Sequence, residues 1–389
     1  MADANVAQTA ASKLLSAAEI WSTQAGDAAP VEIAPPKEPE KPAAPRARPS
    51  EILAGFKSAS SSDRRAGEPT LVPRTPASTI PSRKLSLALQ GGGSLSAFTW
   101  GVLDRLLEEP DCEIGAISGA SAGAINAALL ASGLVAGGRE GARKSLARFW
   151  SRITEDASFR SLLLIGAFSP SGSSVAFGPA LQFDPFDLDP LREILFNHID
   201  FRALHSPSCP KLLVATTRVR DGALRIFRNR EMTADVLLAS TSPPLVHCAI
   251  EIEGSSYWDG GFAANPPLAA LTTESRAADV LLVQVTPTRD SFVPITMAAI
   301  DRRLDQITAN AVLNAEIAAL EPPHADNNAA RLFRIAAEDE FEELAQRSIA
   351  DLGQVSVSLL QSRGREACDR WLRQDREPIP AQAERALAS

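Results

Sequence analysis

A serine flanked by glycines, at a change from strand-like to helix-like sequence, constrains this fold more than any other feature. Gly119-Ala120-Ser121-Ala122-Gly123 follows the isoleucine-containing segment 113–118 and precedes the helix-forming segment 124–130. This order predicts a nucleophile elbow, a sharp strand-to-helix turn with the serine at its apex. The two glycines let neighbouring backbone pass without a Cβ clash, and the helix N-terminus directs N–H groups towards an anion beside Ser121. The simpler interpretation, a small-residue turn in an alanine-rich chain, stays open on this motif alone.

Composition separates the first 82 residues from the rest of the chain. Residues 30–49 contain seven prolines, and residues 58–82 are rich in Ser, Arg, Pro and Thr. Such sequence cannot bury enough apolar surface to offset chain entropy. We therefore predict a disordered tail over 1–82, followed by one large domain of roughly 300 residues.

Charge and cysteine usage exclude several classes of function. The formal net charge is −8, and the acidic and basic residues of the tail balance, so the negative charge lies on the folded part. An acidic domain is a poor binder of nucleic acid, and we expect no such partner. The four cysteines are far apart in sequence, which predicts neither a disulfide framework nor a metal site. They are Cys112, Cys209, Cys248 and Cys368.

The sequence has no secretory signal and no apolar run near the roughly 18–20 residues that span a bilayer. We therefore expect a cytoplasmic protein that is soluble or lies on a membrane surface.

Strand-like and helix-like segments alternate along the folded part, which predicts an α/β fold with a mostly parallel central sheet covered by helices on both faces. A helix is also expected to begin at Pro266 with Asn265 as its cap. The predicted strands are 84–89, 114–118, 212–217, 224–227, 250–252, 257–258 and 280–285; the predicted helices are 97–107, 121–134, 141–153, 189–196, 233–239, 296–320 and 355–373.

Three motifs of the kinds used in catalysis or ligand binding lie between these predicted elements. Gly91-Gly92-Gly93 lies between a strand and a helix, Ser121 lies at the next such corner, and Asp259-Gly260-Gly261 follows a hairpin. The carboxyl ends of parallel strands line one crevice, so the first two motifs meet there and the third can. A carboxylate in contact with a serine hydroxyl can accept its proton. On its own, however, Asp-Gly is also an ordinary turn sequence.

The glycine triplet has two interpretations. Its N–H groups can face an oxyanion, or they can hold a phosphate. The second is disfavoured, because the Gly-Lys-Ser/Thr of a nucleotide-binding loop and the later glycines of a dinucleotide-binding loop are missing. A Ser–His–Asp triad is the other alternative, and of the four histidines (His198, His205, His247 and His324) only His324 follows Asp259. Loop or surface positions are expected for all four.

In their order and spacing, four segments together resemble the patatin-like phospholipases. They are 88–93, 97–103, Gly-Ala-Ser-Ala-Gly at 119–123 and Tyr-Trp-Asp-Gly-Gly at 257–261. The resemblance covers 83–290 and extends more weakly to about 373. It implies a Ser–Asp dyad of Ser121 and Asp259, an oxyanion hole at Gly91, Gly92 and Gly93, and hydrolysis of phospholipid and related acyl esters without a metal or other cofactor.

The resemblance also assigns the organisation of the chain. A patatin-like catalytic domain is expected at 83–290, a helical extension packed on it at 291–375, and a flexible end at 376–389, while Gly119, Gly123, Gly260 and Gly261 shape the elbow and the aspartate turn. The expected partner is an acyl lipid, with peripheral membrane contact; the oligomeric state is left open. The apolar segment 162–168 is either a lid or acyl-chain wall, or an ordinary core helix.

One departure from the family's pattern affects the glycine loop. The family usually continues this loop with a basic residue or His and then another Gly, whereas this chain has Leu95 and Ser96. These residues remove a positive charge and add a Cβ near the expected oxyanion. The donors of Gly92 and Gly93 are kept, so activity is expected, and whether Leu95 and Ser96 reduce it is left open. The alternative is a catalytically degenerate patatin-like module that binds lipid or protein.

Overall fold

The computed structural model describes residues 83–155, 190–244, 248–275, 278–320, 330–341, 343–349 and 351–373. The expectations for 1–82, for the apolar segment 162–168, for His247 and His324 and for the end at 376–389 lie outside these residues. All described residues belong to the unit Thr75–Ser389.

Eight strands of the described chain form one sheet in the order β5-β6-β3-β2-β1-β7-β8, with β4 also paired to β3. Five strands pair in parallel: β1, β2, β3, β7 and β8. The pairings of β4 with β3, of β6 with β3 and of β5 with β6 are antiparallel. The bounds are β1 Arg83–Leu89, β2 Cys112–Gly119, β3 Lys211–Arg218, β4 Leu224–Arg228, β5 Ile250–Ile252, β6 Ser255–Asp259, β7 Asp279–Gln284 and β8 Arg331–Ala336.

The described α-helices are α1 Ala97–Leu106, α2 Ala122–Glu155, α3 Pro190–His198, α4 Phe201–Leu204, α5 Ala234–Ser240, α6 Leu268–Glu274, α7 Met297–Ala318 and α8 Gln354–Arg373. Helix α2 is interrupted at Gly137 and Gly138, where the backbone is not helical; this break lies between the predicted helices 121–134 and 141–153. Among these helices none is long and apolar enough to cross a membrane.

Side chains of the central strands alternate between two cores, as strand geometry requires. Leu85, Leu87 and Leu89 of β1 pack into the larger core with α1, α2 and α8. Ala88, between them, faces the smaller core, to which α6 and α7 contribute Leu268 and Leu313. Helices therefore cover both faces, and the predicted α/β fold with a mostly parallel sheet is confirmed.

The pairing of β3 explains how distant parts of the chain meet. Val214 of β3 pairs with Gly119 of β2 on one edge and with β4 on the other. Two residues further on, Thr216 pairs with Asp259 of β6 and again with β4. Strands β2 and β6 thus lie end to end along the same edge of β3 and run towards each other. Their last residues converge beside Ala215.

The segment 291–375, predicted as a helical extension, contains a strand. Strand β8 pairs in parallel with β7 and adds to the central sheet. Helix α8 crosses α1 at very short range: a Cβ on Gly101 would lie 2.0 Å from the carbonyl oxygen of Gln361, and one on Gly364 would lie 2.1 Å from that of Phe98. The C-terminal elements are thus built into the same fold as the glycine loop.

Candidate active site

Ser121 lies at the apex of the turn between β2 and α2. Its φ is +53°, a left-handed conformation that is unusual for a residue with a side chain. The turn is crowded: a Cβ on Gly119 would lie 2.7 Å from backbone atoms of Gly123, and one on Gly123 would lie 2.3 Å from the carbonyl oxygen of Leu89. The close approach expected of both flanking glycines is present, and Ser121 remains partly exposed.

Asp259 ends β6 next to this apex. The hydroxyl of Ser121 donates a hydrogen bond of 2.7 Å to Oδ2 of Asp259, although the two residues are 138 positions apart. The second carboxylate oxygen, Oδ1, accepts the N–H of Gly261 at 2.7 Å. Gly260 passes so close to β3 that a Cβ would lie 2.1 Å from the carbonyl oxygen of Ala215. Both glycines therefore hold the carboxylate at the end of the strand.

The Asp259 carboxyl is buried, and burial raises its pKa from the ordinary 3.8 to about 6. The hydrogen bonds from Gly261 and Ser121 act in the opposite direction and are the smaller effects. Burial has the larger effect on the pKa, because the buried carboxylate loses its surrounding water and gains only two hydrogen-bond donors in return. The ionised form of Asp259 is therefore a stronger proton acceptor than an exposed carboxylate, and it predominates at neutral pH.

Two serines at the carboxyl end of α5, which were not predicted from the sequence, support this pair. Ser240 is fully buried, and its Oγ accepts the backbone N–H of Ser121 at 3.0 Å. The carbonyl oxygen of Ser242 accepts the backbone N–H of Asp259 at 2.9 Å, and Thr217 donates to the Asp259 carbonyl at 2.8 Å. No local pattern distinguishes these serines, because their roles depend on contacts across the sheet.

Gly91 lies against the elbow, and its N–H group is already in use. A Cβ on Gly91 would lie 2.6 Å from the carbonyl oxygen of Ala120. Its N–H donates to Oδ1 of Asn265 at 2.7 Å, and the Asn265 amide also donates to the Gly91 carbonyl at 3.4 Å. The expectation that Gly91 offers a donor to an oxyanion therefore differs from the structure, because Asn265 takes that donor.

Asn265 is also placed differently from the sequence prediction. Helix α6 begins at Leu268 with Pro267 as the preceding residue and no side-chain cap, so the prediction of Asn265 as a cap was wrong. The amide instead joins the glycine loop to the turn that carries Asp259. Asn-Pro is a common sequence before a helix, and the competing tertiary contact was not visible in it.

Three N–H groups near Ser121 have no acceptor within the described chain. They are those of Gly92 and Gly93 in the glycine loop and that of Ala122 at the start of α2. Gly93 has φ +56°, and a Cβ there would lie 2.4 Å from the carbonyl oxygen of Ile349. That same carbonyl accepts the N–H of Ser94 at 2.7 Å. A C-terminal segment therefore braces the loop.

The two residues that depart from the family's pattern are both buried. Leu95 packs into the larger core, and the carbonyl of Ser96 accepts the amide of Asn126 at 3.0 Å. Trp150 donates in turn to Asn126 at 3.0 Å. These contacts tie the loop to both halves of α2 and turn the Leu95 side chain towards the core.

The two described histidines do not lie with Ser121 and Asp259 in these contacts. A ring nitrogen of His198 lies 2.8 Å from the carbonyl of Ile194, and one of His205 lies 2.9 Å from that of Met232. Within the described ranges, no group of three His, Cys, Asp or Glu residues could hold a metal ion.

Part of the chain that carries these residues matches a known protein family. Residues 87–272 match the family model described as patatin-like phospholipase. The match includes the glycine loop, Ser121, Asp259 and Asn265. A comparison with curated proteins found no significant match.

Solved structures with a distant match include VipD from Legionella pneumophila, at 13% identity and TM-score 0.38 over 75% of this chain and 66% of that one. The type III effector ExoU is 17% identical, with TM-score 0.35 over 79% of this chain and 56% of that one. ExoU in its complex with SpcU, from Pseudomonas aeruginosa, is 18% identical, with TM-score 0.32 over 75% and 51%. The chain thus spans between half and two thirds of these structures, and the similarity is too distant to assign an activity.

Proposed function

We propose that this chain, whose residues 87–272 belong to the patatin-like phospholipase family, is a serine lipid acyl hydrolase that uses a Ser–Asp dyad. The observation that carries the proposal is the 2.7 Å hydrogen bond from Ser121 to Asp259 at the end of the sheet. A serine hydroxyl is a weak nucleophile until a base takes its proton. Asp259 is the base in contact with it.

The first half of the reaction forms an acyl-enzyme. As Ser121 Oγ attacks the ester carbonyl carbon, its proton moves to Asp259 Oδ2, and the carbonyl oxygen becomes an oxyanion. The N–H groups of Gly92, Gly93 and Ala122 are the donors proposed to hold this oxyanion, since they have no other described acceptor. The tetrahedral intermediate then collapses, and the alcohol leaves with the proton from Asp259.

The second half uses the same groups. A water molecule gives a proton to Asp259 and attacks the acyl carbon, and collapse of the second intermediate returns the proton to Ser121 as the fatty acid leaves. Burial of Asp259 favours both transfers, because its pKa of about 6 lies closer to working pH than that of an exposed carboxylate. No step needs a metal or a histidine.

The contacts of Leu95 and Ser96 bear on the alternative of a degenerate binding module. Both side chains are buried, and the N–H groups of Gly92 and Gly93 have no acceptor within the described chain, so these two side chains do not remove the donors that the mechanism uses. The missing positive charge is consistent with a slower enzyme rather than an inactive one.

Ser121→Ala tests the proposal. We expect this variant to lose turnover of a short p-nitrophenyl ester and of phospholipid by at least about 1,000-fold, and to lose labelling by a fluorophosphonate probe. Ser242→Ala is the matched control, because within the described residues the buried hydroxyl that it removes donates only to the carbonyl of Leu238, and the backbone carbonyl is kept. Turnover retained in Ser121→Ala, or absence of labelling in the native wild type, would exclude the mechanism.

A further inference from the structure

Six large apolar side chains near the carboxyl ends of the parallel strands, where Ser121 also lies, are at least half exposed. We refer to them as the apolar rim: Phe262, Phe292, Val293, Ile295, Met297 and Ile349. Val293 and Ile295 are the most exposed, at 85% and 89%. Apolar side chains that protrude in a group from a protein surface mark an interaction site.

The rim comes from three segments that converge on the candidate site. Phe262 lies three residues after Asp259, in the short helix that packs against α7. Residues 292–297 follow the carboxyl end of β7, a direct neighbour of β1. The carbonyl of Ile349 bonds to Ser94 in the glycine loop. Each segment therefore begins at, or touches, a part of the site.

Hydrogen bonds hold these segments together. Gln346 donates to Asp290 at 2.6 Å, which joins the Ile349 segment to the loop after β7. Arg302 of α7 donates to the carbonyl of Ala345 at 3.0 Å. These bonds join the Ile349 segment to the region 290–302, and the Phe262 segment reaches the same region by packing against α7.

The charge of this surface indicates the kind of partner. Residues 288–297 carry Arg289 and Asp290, and residues 343–351 carry Glu343, Arg347 and Asp351. Glu338 and Glu343 also line the cleft beside Phe292. The surroundings of the rim are thus net negative, which repels an anionic surface but not a zwitterionic one. Side chains as exposed as Val293 and Ile295 insert into a fluid acyl layer without a matching pocket, whereas a protein partner has to supply one.

We propose that the apolar rim inserts into the surface of a zwitterionic lipid bilayer and so brings Ser121 to the ester bonds of its lipids. The choice of a lipid partner rests on the proposed function. The site and the rim lie at the same end of the sheet, where the parallel strands terminate. Insertion of the rim therefore places the glycine loop and the elbow against the headgroup layer.

The test measures binding of the full chain to phosphatidylcholine vesicles by sedimentation, in the Ser121→Ala background so that no lipid is consumed. Burying one large apolar side chain is worth roughly tenfold in partitioning. The triple substitution Phe292→Ser, Val293→Ser, Ile295→Ser is therefore expected to lower the partition coefficient at least about 100-fold. Its thermal midpoint should match that of the parent, because these side chains are exposed.

Phe196→Ser is the matched control. Phe196 and Phe292 are similarly exposed, at 60% and 59%. Phe196, however, packs beside Phe201 in the connection that leads into the amino end of β3, at the other end of the sheet from Ser121. This variant should bind vesicles within about twofold of the parent.

Three results would overturn the proposal: unchanged binding by the triple variant, binding that needs anionic lipid and is abolished by salt, or a wild-type dimer that the triple variant converts to monomer. The last result would identify a second copy of the chain as the partner. Vesicle binding by Ser121→Ala requires no chemistry, so an inactive wild type that still binds through the rim refutes only the proposed function. An active enzyme that binds independently of the rim refutes only this inference.

Discussion

Replacing the buried aspartate tests the physical basis of the candidate site. In Asp259→Asn the side chain keeps its shape: Oδ1 can still accept the N–H of Gly261, and the new amide can donate to Ser121 Oγ, whose hydroxyl is free to rotate. The substitution therefore removes the buried charge and leaves the surrounding packing in place. We expect a more stable protein that has lost its activity.

The size of the effect follows from the pKa of Asp259. The difference between 3.8 and about 6, at about 1.4 kcal/mol for each pKa unit, corresponds to about 3 kcal/mol. Because the pKa is raised in the folded state, the folded protein keeps a proton that the unfolded chain has lost between pH 3.8 and pH 6. Wild-type stability accordingly falls by about 3 kcal/mol as the pH rises through this window.

Urea unfolding of wild type and Asp259→Asn at several pH values measures this difference. The variant should gain less than about 1 kcal/mol over wild type at pH 4 and about 3 kcal/mol at pH 7.5. Asp221→Asn is the exposed control: Arg218 lowers the pKa of Asp221 to about 2, so any pH-dependent change has the opposite sign, and solvent screening keeps it small. A gain for Asp259→Asn that does not change with pH, or a loss of stability at pH 7.5, would refute the burial argument.

Three further predictions concern the supports of the site. Ester turnover should rise with pH and reach half its maximum near pH 6, because Asp259 must be ionised to take the proton; a flat profile between pH 5 and pH 7 would contradict this. Asn265→Ala should lower kcat about 10- to 100-fold in steady-state assays, since it releases Gly91, whereas kcat within twofold of wild type would show that the loop needs no such anchor. Ser240→Ala should slow fluorophosphonate labelling at least about tenfold, and equal rates in Ser240→Ala and Ser242→Ala would exclude a positioning role.

Local sequence was enough to predict the elbow and the fold class. Alternating apolar segments specify strands through a period of two, and Gly119 and Gly123 mark a turn where only glycine fits. The positive φ of Ser121 and the start of α2 at Ala122 agree with that prediction. These features depend on residues within a few positions of one another, and a sequence pattern contains that information.

Strand β8 and the role of Asn265 could not be predicted in this way. Residues 331–336 are held in a strand by pairing with β7. The Asn265 amide bonds to Gly91, 174 positions away, instead of capping the adjacent helix. In both cases a long-range contact outweighs a local preference, which is usual when the local preference is worth only about 1 kcal/mol.

The sequence by itself determined that a serine would stand at a strand-to-helix turn, that glycines would surround it and that an aspartate would follow a hairpin. Only the tertiary structure decided that the serine and the aspartate touch, because β2 and β6 meet end to end along one edge of β3. The tertiary structure also decided which loop amides are free and how strongly the carboxyl is buried. Hydrogen bonding and burial depend on every segment that packs around an atom, and those segments come from positions as far apart as 91 and 349.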